Sequence, residues 1–221
     1  IQMTLLDTLD AHALMGNASE FCRAVHHVTA TLTFDVDQTV SLFETNIRAL
    51  GGLVSAHALA ADAELGLCAS YKGGLLPLAV DLANRLLPAL DTPSGIPYGS
   101  VNLRHGIAVG ESNETCTAAS GTLALEFGAL SRLTDDPTYE RAALRAARAV
   151  WRMRSELDLV GAHISLVTGA WTQQASGIGR GVDSFYEYLL KAHLFLGGGE
   201  YLAAFHDAYR AAVRVLKRGH W

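Results

Sequence analysis

The stretch Thr39-Val40-Ser41-Leu42-Phe43-Glu44-Thr45-Asn46-Ile47-Arg48-Ala49-Leu50-Gly51-Gly52-Leu53-Val54-Ser55-Ala56-His57-Ala58 decides the fold class. Its apolar positions Val40, Phe43, Ile47, Leu50, Val54 and Ala58 step by three or four, which describes the buried face of one helix over 39–63. The same period predicts helices over 3–15, 18–29, 75–90, 115–133, 138–154, 182–196 and 201–217, about eight in all. Gly16-Asn17, Thr134-Asp135-Asp136-Pro137 and Gly197-Gly198-Gly199 punctuate them, and such short joints make antiparallel neighbours. Two longer connections, 91–114 and 157–181, have the Gly, Pro, Asn and Ser content of ordered loops. Within the second, the run from His163 to Trp171 is expected to form a minor β-hairpin. The protein is therefore all-α, built of stacked helical hairpins. No strict repeat of the kind seen in helical arrays is present, which favours a toroid over an open solenoid.

The chain has 221 residues, half of them hydrophobic and 18% charged, with a net charge of −5. That composition supports a sizeable core and lacks the basic stripe that nucleic-acid binding needs. The longest apolar stretch, around Leu75 to Leu78, is interrupted by Pro77, Asp81 and Arg85 well short of the ~20 residues of a bilayer span. Cys22, Cys68 and Cys116 lie far apart without CxxC spacing, so a zinc site is not expected. They read first as free or buried thiols, the alternative being a cysteine on another segment or another protein. His26-His27 carries no metal-ligand spacing either and reads as helix surface. Asn17-Ala18-Ser19 and Asn113-Glu114-Thr115 fit the short N-glycosylation pattern and weakly favour a secretory compartment. No leader precedes Ile1, and the start reads as a truncation.

Chemistry concentrates on two helices. Glu44 and Arg48, four apart beside the apolar stripe, continue into a row of Gly51, Gly52 and Ser55. The plain reading is a surface ion pair worth a few tenths of a kcal/mol. Against it, each glycine inside a helix costs about 1 kcal/mol relative to alanine, which is easier to understand if something passes close by. Asp183 stands at the first turn of the other helix, after Gly177-Ile178-Gly179-Arg180-Gly181, with Glu187, Phe185, Tyr186 and Tyr188 following. It reads either as a first-turn acid favoured by the helix dipole or as a sugar-site carboxylate beside aromatic rings. Two carboxylates from different helices are what inverting glycoside hydrolysis needs, one to protonate the leaving oxygen and one to activate water.

The order of motifs adds more than spacing. Ser41 to Leu53, then Leu86-Leu87-Pro88-Ala89-Leu90, Gly95-Ile96-Pro97-Tyr98, Leu125-Glu126-Phe127, Leu130-Ser131-Arg132-Leu133-Thr134 and Val182-Asp183-Ser184-Phe185-Tyr186-Glu187-Tyr188 closely resemble glycoside hydrolase family 47, the class I α-1,2-mannosidases. Thr4 to Asp10 resembles an earlier landmark, and Asn113 to Ala118 is most similar to the ER degradation-enhancing α-mannosidase-like branch. The resemblance implies an (α/α)7 barrel, of which residues 1–221 would be part of a single catalytic domain truncated at both ends. It implies inverting, calcium-dependent removal of α-1,2-linked mannose from N-glycans of misfolded glycoproteins in the endoplasmic reticulum lumen. Carried over by position, Glu44 is a proton-donating acid, Asp183 a second catalytic carboxylate and Arg48 a substrate-binding guanidinium. No residue of this chain is expected to ligate calcium, and the chain by itself is expected to be inactive. The expected partners are high-mannose N-glycans and, through Cys116, a thiol oxidoreductase. Ala119 and Gly181 fall where the processing mannosidases carry a glutamate and an arginine. This motivates the alternative of a non-catalytic, lectin-like factor that delivers misfolded glycoproteins for disposal.

Overall fold

The computed structural model describes residues 1–219. It is mostly helical, and its residues gather into two compact units. The first comprises Ile1–Pro88 and Val101–Ala108, the second Ala89–Ser100 and the residues from Val109 onward.

In the first unit the chain enters through two short helices, α1 (Met3–Asp7) and α2 (Leu9–Leu14), where one helix over 3–15 is expected. The break falls at Thr8, whose hydroxyl donates back to the carbonyl of Thr4 (2.9 Å), the type of side-chain bond that competes with helix continuation. α3 (Ala18–Thr31) starts on the Asn17 side chain, which accepts from the Glu20 amide, and buries Phe21, Ala24, Val25 and Val28 along one face. The expected helix over 39–63 is composite. Thr39–Ser41 forms a strand, β1; Ser41 then caps α4 (Leu42–Glu44), a π-helical stretch runs over Thr45–Leu50, and α5 covers Gly51–Ala61. The π turn takes an extra residue and advances the phase of everything after it. The buried positions include Leu42, Thr45, Asn46, Ala49, Leu53 and Ala56 together with Val40, Leu50 and Val54 of the expected stripe, while Ala58 of that stripe faces solvent. α6 (Leu75–Leu86) completes this core, and the return strand β2 (Ser100–Asn102) pairs with β1.

A disulfide joins Cys22 on α3 to Cys68 in the loop before α6, leaving Cys116 free; this corrects the expectation of unpaired thiols. The two cysteines are 46 residues apart, so no local spacing announced the pair.

In the second unit the expected helix over 115–133 begins instead as a strand, β3 (Glu114–Cys116), before α7 (Thr117–Gly121) and α8 (Ala124–Thr134). The helix break has a packing cause. A Cβ at Gly121 would stand 2.2 Å from the fully buried Phe185 ring, so the turn there is pressed against that ring. α8 and α9 (Thr138–Arg152) form a hairpin whose joint puts Asp135 in the left-handed region at φ 55°, and α10 (Asp183–Leu196) and α11 (Gly199–Ala211) form another across Gly197 and Gly198. The expected β-hairpin is present as β4 (His163–Ser165) and β5 (Trp171–Gln173), and β3 adds a third antiparallel strand. Phe185, Val150, Val160 and Leu189 centre the core.

Burial has one titratable consequence in the first unit. His57 Nδ1 lies 2.8 Å from the Tyr71 hydroxyl, which accepts from the Leu75 amide, and burial pushes the His57 imidazole below its ordinary value of 6.5. Because the folded pKa is depressed, the stability this group contributes is present above 6.5 and is lost as pH falls through the folded value. Denaturant unfolding followed from pH 7.5 down to 5 should therefore lose stability more steeply in the wild type than in His57→Gln; parallel curves would contradict this.

Candidate active site

Arg48 organises the site in the first unit. It projects from the π-helical stretch and is held by two carboxylates, its Nε donating to Glu44 Oε2 at 2.7 Å and its Nη1 to Asp7 Oδ2 at 2.9 Å. Both bonds raise the guanidinium pKa further, Glu44 contributing most. All three side chains keep 41–47% of their surface in solvent, an open charged cluster rather than a buried bridge. Beside it Ser55 donates to Asp10 Oδ2 (3.1 Å), so a second acid of the α1–α2 segment is also turned toward the α4–α5 helix.

The approach of α1 explains the glycine at 52. A Cβ there would lie 2.4 Å from the backbone oxygen of Leu6, the residue before Asp7. The helix is bare at this point so that the α1 backbone can reach it and set Asp7 against Arg48.

Asp183 belongs to the second unit. It opens α10, is exposed, and accepts from the Ser184 amide at 2.9 Å. The aromatic residues after it do not form an open platform. Phe185 is fully buried, the Tyr186 hydroxyl accepts from the Val160 amide (3.3 Å), and the Tyr188 hydroxyl donates to Glu126 Oε1 (2.6 Å). Phe185 and Tyr188, three residues apart, share one face of the helix, and Tyr186, one step on, is turned about 100° from Phe185. Burial and the Glu126 carboxylate push the Tyr188 phenol strongly up, which keeps it a proton donor in that bond. Glu187 pairs with Lys191 (2.5 Å) on the outer surface. The segments bearing Ala119 and Gly181 meet, since the Ala118 amide donates to the Gly181 carbonyl (2.8 Å). Gly181 has open space around it but sits at φ 93°, where an arginine would be strained in this backbone.

Among the described residues, the group of metal-ligating side chains close enough to share an ion is Cys22, His26 and Cys68. Calcium takes about 6–8 oxygen ligands. A sulfur and imidazole set does not fit it. No helix among the described residues is long and apolar enough to cross a membrane.

Asp7 and Asp10 were not singled out from sequence, although both lie in a stretch resembling a family landmark. Arg48 and Asp7 are 41 residues apart, and no local period links them.

The model of glycosyl hydrolase family 47 matches residues 1–220, and the chain belongs to that family. It is 53% identical over 220 residues to alpha-mannosidase I MNS4 of Arabidopsis thaliana, covering 99% of this chain and 35% of the relative. It is 46% identical over 218 residues to human ER degradation-enhancing alpha-mannosidase-like protein 2, covering 98% of this chain and 38% of that protein. Its structure resembles the alpha-1,2-mannosidase from Trichoderma reesei with a TM-score of 0.88 at 29% identity, over 96% of this chain and 46% of that one. The fold class is thus that of the α-1,2-mannosidase (α/α)7 barrel. The chain spans little more than a third of the length of the curated relatives it matches.

In a helix interior Gly→Ala normally gains about 1 kcal/mol, but Gly52→Ala must displace the Leu6 backbone. Overpacking of that kind costs about 1–3 kcal/mol, so a net loss of up to roughly 2 kcal/mol is expected by denaturant unfolding, and a gain would contradict the contact. Exposed ion pairs contribute about 0–1 kcal/mol. Asp7→Asn and Glu44→Gln should therefore each shift stability by less than ~1 kcal/mol, and a larger loss would mean that the cluster serves folding.

Proposed function

We propose that the protein acts as a mannosidase-like glycosidase, both units belonging to one catalytic domain. In this reading it removes α-1,2-linked mannose from N-glycans of misfolded glycoproteins in the endoplasmic reticulum lumen, with inversion at the sugar carbon. The observation that carries the reading is the double clamp on Arg48 by Glu44 and Asp7, in a chain whose family and relatives are mannosidase-like. Arg48, pinned by two carboxylates, offers its remaining N–H groups to sugar hydroxyls in a fixed orientation, the preorganisation that oriented binding requires. Glu44 accepts from Arg48 through Oε2; protonated on its other oxygen, it would pass that proton to the leaving oxygen through a bridging water and be left as the carboxylate. Asp183, at a helix start and open to solvent, is the second carboxylate. Relatives that are ER degradation-enhancing mannosidase-like proteins support the compartment.

The lectin-like reading has its own support. The segments bearing Ala119 and Gly181 come together, so both charged groups of a processing enzyme are missing from one place. Replacement of Glu44 by Gln in the full-length protein separates the two readings. An enzyme loses trimming of a mannose-rich glycan by at least ~10²-fold, the usual weight of a general acid, while retaining glycan binding. A lectin shows no trimming to lose, and unchanged trimming would remove Glu44 from the mechanism. The chain Ile1–Trp221 on its own is expected to leave the same glycan intact.

A further inference from the structure

Outside the carboxylate site, the first unit collects a second group of reactive side chains. Cys22 and His26 stand four residues apart on one face of α3, the spacing at which helical side chains meet. The loop that follows α5 brings Cys68 and Ser70 against that face. His26 Nε2 lies 2.7 Å from Ser70 Oγ and 3.7 Å from Cys68 Sγ, and Ser70 Oγ lies 3.7 Å from Cys22 Sγ and 3.8 Å from Cys68 Sγ. The ligating atoms of Cys22, His26 and Cys68 all fall within 4.8 Å of one another. Cys68 is almost fully buried, whereas His26 and Ser70 are exposed. A cleft of about 450 Å³ is lined by residues of this loop and the end of α5, among them Ala60, Gly66, Cys68 and Tyr71.

With the disulfide closed, this is a staple with an imidazole beside it. We propose that reduction of Cys22–Cys68 converts the cluster into a Cys2His site for a zinc-class divalent cation, with the Ser70 hydroxyl or a water in the fourth position. The spacing carries the proposal. Tetrahedral zinc with bonds of about 2.3 Å to sulfur and 2.0–2.1 Å to nitrogen places its ligand atoms roughly 3.5–3.8 Å apart. The His26–Cys68 separation of 3.7 Å already has this value. The two sulfurs must part by side-chain rotation, and the Ser70 hydroxyl, 2.7 Å from His26 Nε2, must draw back from the imidazole to serve as a ligand. Two sulfurs and an imidazole select a borderline-soft ion over calcium or magnesium.

The chemistry balances. A dithiol reductant gives two electrons to the S–S bond and becomes a disulfide itself, leaving two thiols. The cation then displaces one proton from each, and two thiolates with a neutral imidazole make a site of zero net charge. The loop is held to α3 by a bond in the oxidised state and by the ion in the reduced one.

The test begins with the disulfide-bonded protein, reduced anaerobically with a phosphine, desalted, and titrated with Co2+ and then Zn2+. The expected result is about one equivalent of Co2+ with thiolate charge-transfer and tetrahedral d–d absorption, displaced by Zn2+, and no binding before reduction. Cys22→Ser should lose the charge-transfer intensity, and His26→Ala should weaken binding at least tenfold while the helical circular dichroism is unchanged. Cys116→Ser should bind like the wild type. The proposal is overturned if the reduced protein binds no ion, if reduction destroys the helical signal and Zn2+ does not restore it, if Cys22→Ser binds normally, or if Cys116→Ser abolishes binding.

Discussion

The contact on which the candidate site rests is the meeting of the Leu6 carbonyl with the bare surface of α5 at Gly52. It brings one backbone against another where any side chain would hold them apart. The next residue along is Asp7, and its carboxylate thereby reaches Arg48 from a helix remote in sequence. Without that approach Arg48 would have Glu44 alone, an ordinary exposed pair of the kind found on many helices. With it, a flexible guanidinium becomes a fixed fork. The energy of the cluster is small and its value lies in orientation.

The π-helical stretch over Thr45–Leu50 works to the same end. π turns are rare and concentrate at functional sites. Here the extra residue lies between Glu44 and α5, so that Arg48 is exposed beside Glu44 while Thr45, Asn46 and Ala49 turn inward.

Sequence made the helical class legible because a period of three and four survives any detail of packing, and it made the Glu44–Arg48 pair legible because those residues are neighbours on one helix. It hid what depends on distance along the chain. Asp7 and the Cys22–Cys68 bond arise from the packing of helices on one another, and no local pattern encodes either. The strands β1 and β3 were read as first turns of helices, since three residues are too few to display alternation. The rings after Asp183 looked like a sugar platform because composition was visible and direction was not; the core claims Phe185 and the hydrogen bonds of Tyr186 and Tyr188 claim the others. Family motifs supplied roles for Glu44 and Asp183 that spacing left open.

If Glu44 and Asp183 serve an inverting glycosidase as proposed, the anomeric form of the first mannose released reports on it directly. Proton NMR of the full-length protein acting on an α-1,2-linked mannose substrate should show β-mannose at the earliest times, with the α anomer growing only as the free sugar mutarotates. Release of α-mannose first, or of no mannose at all, would contradict the account.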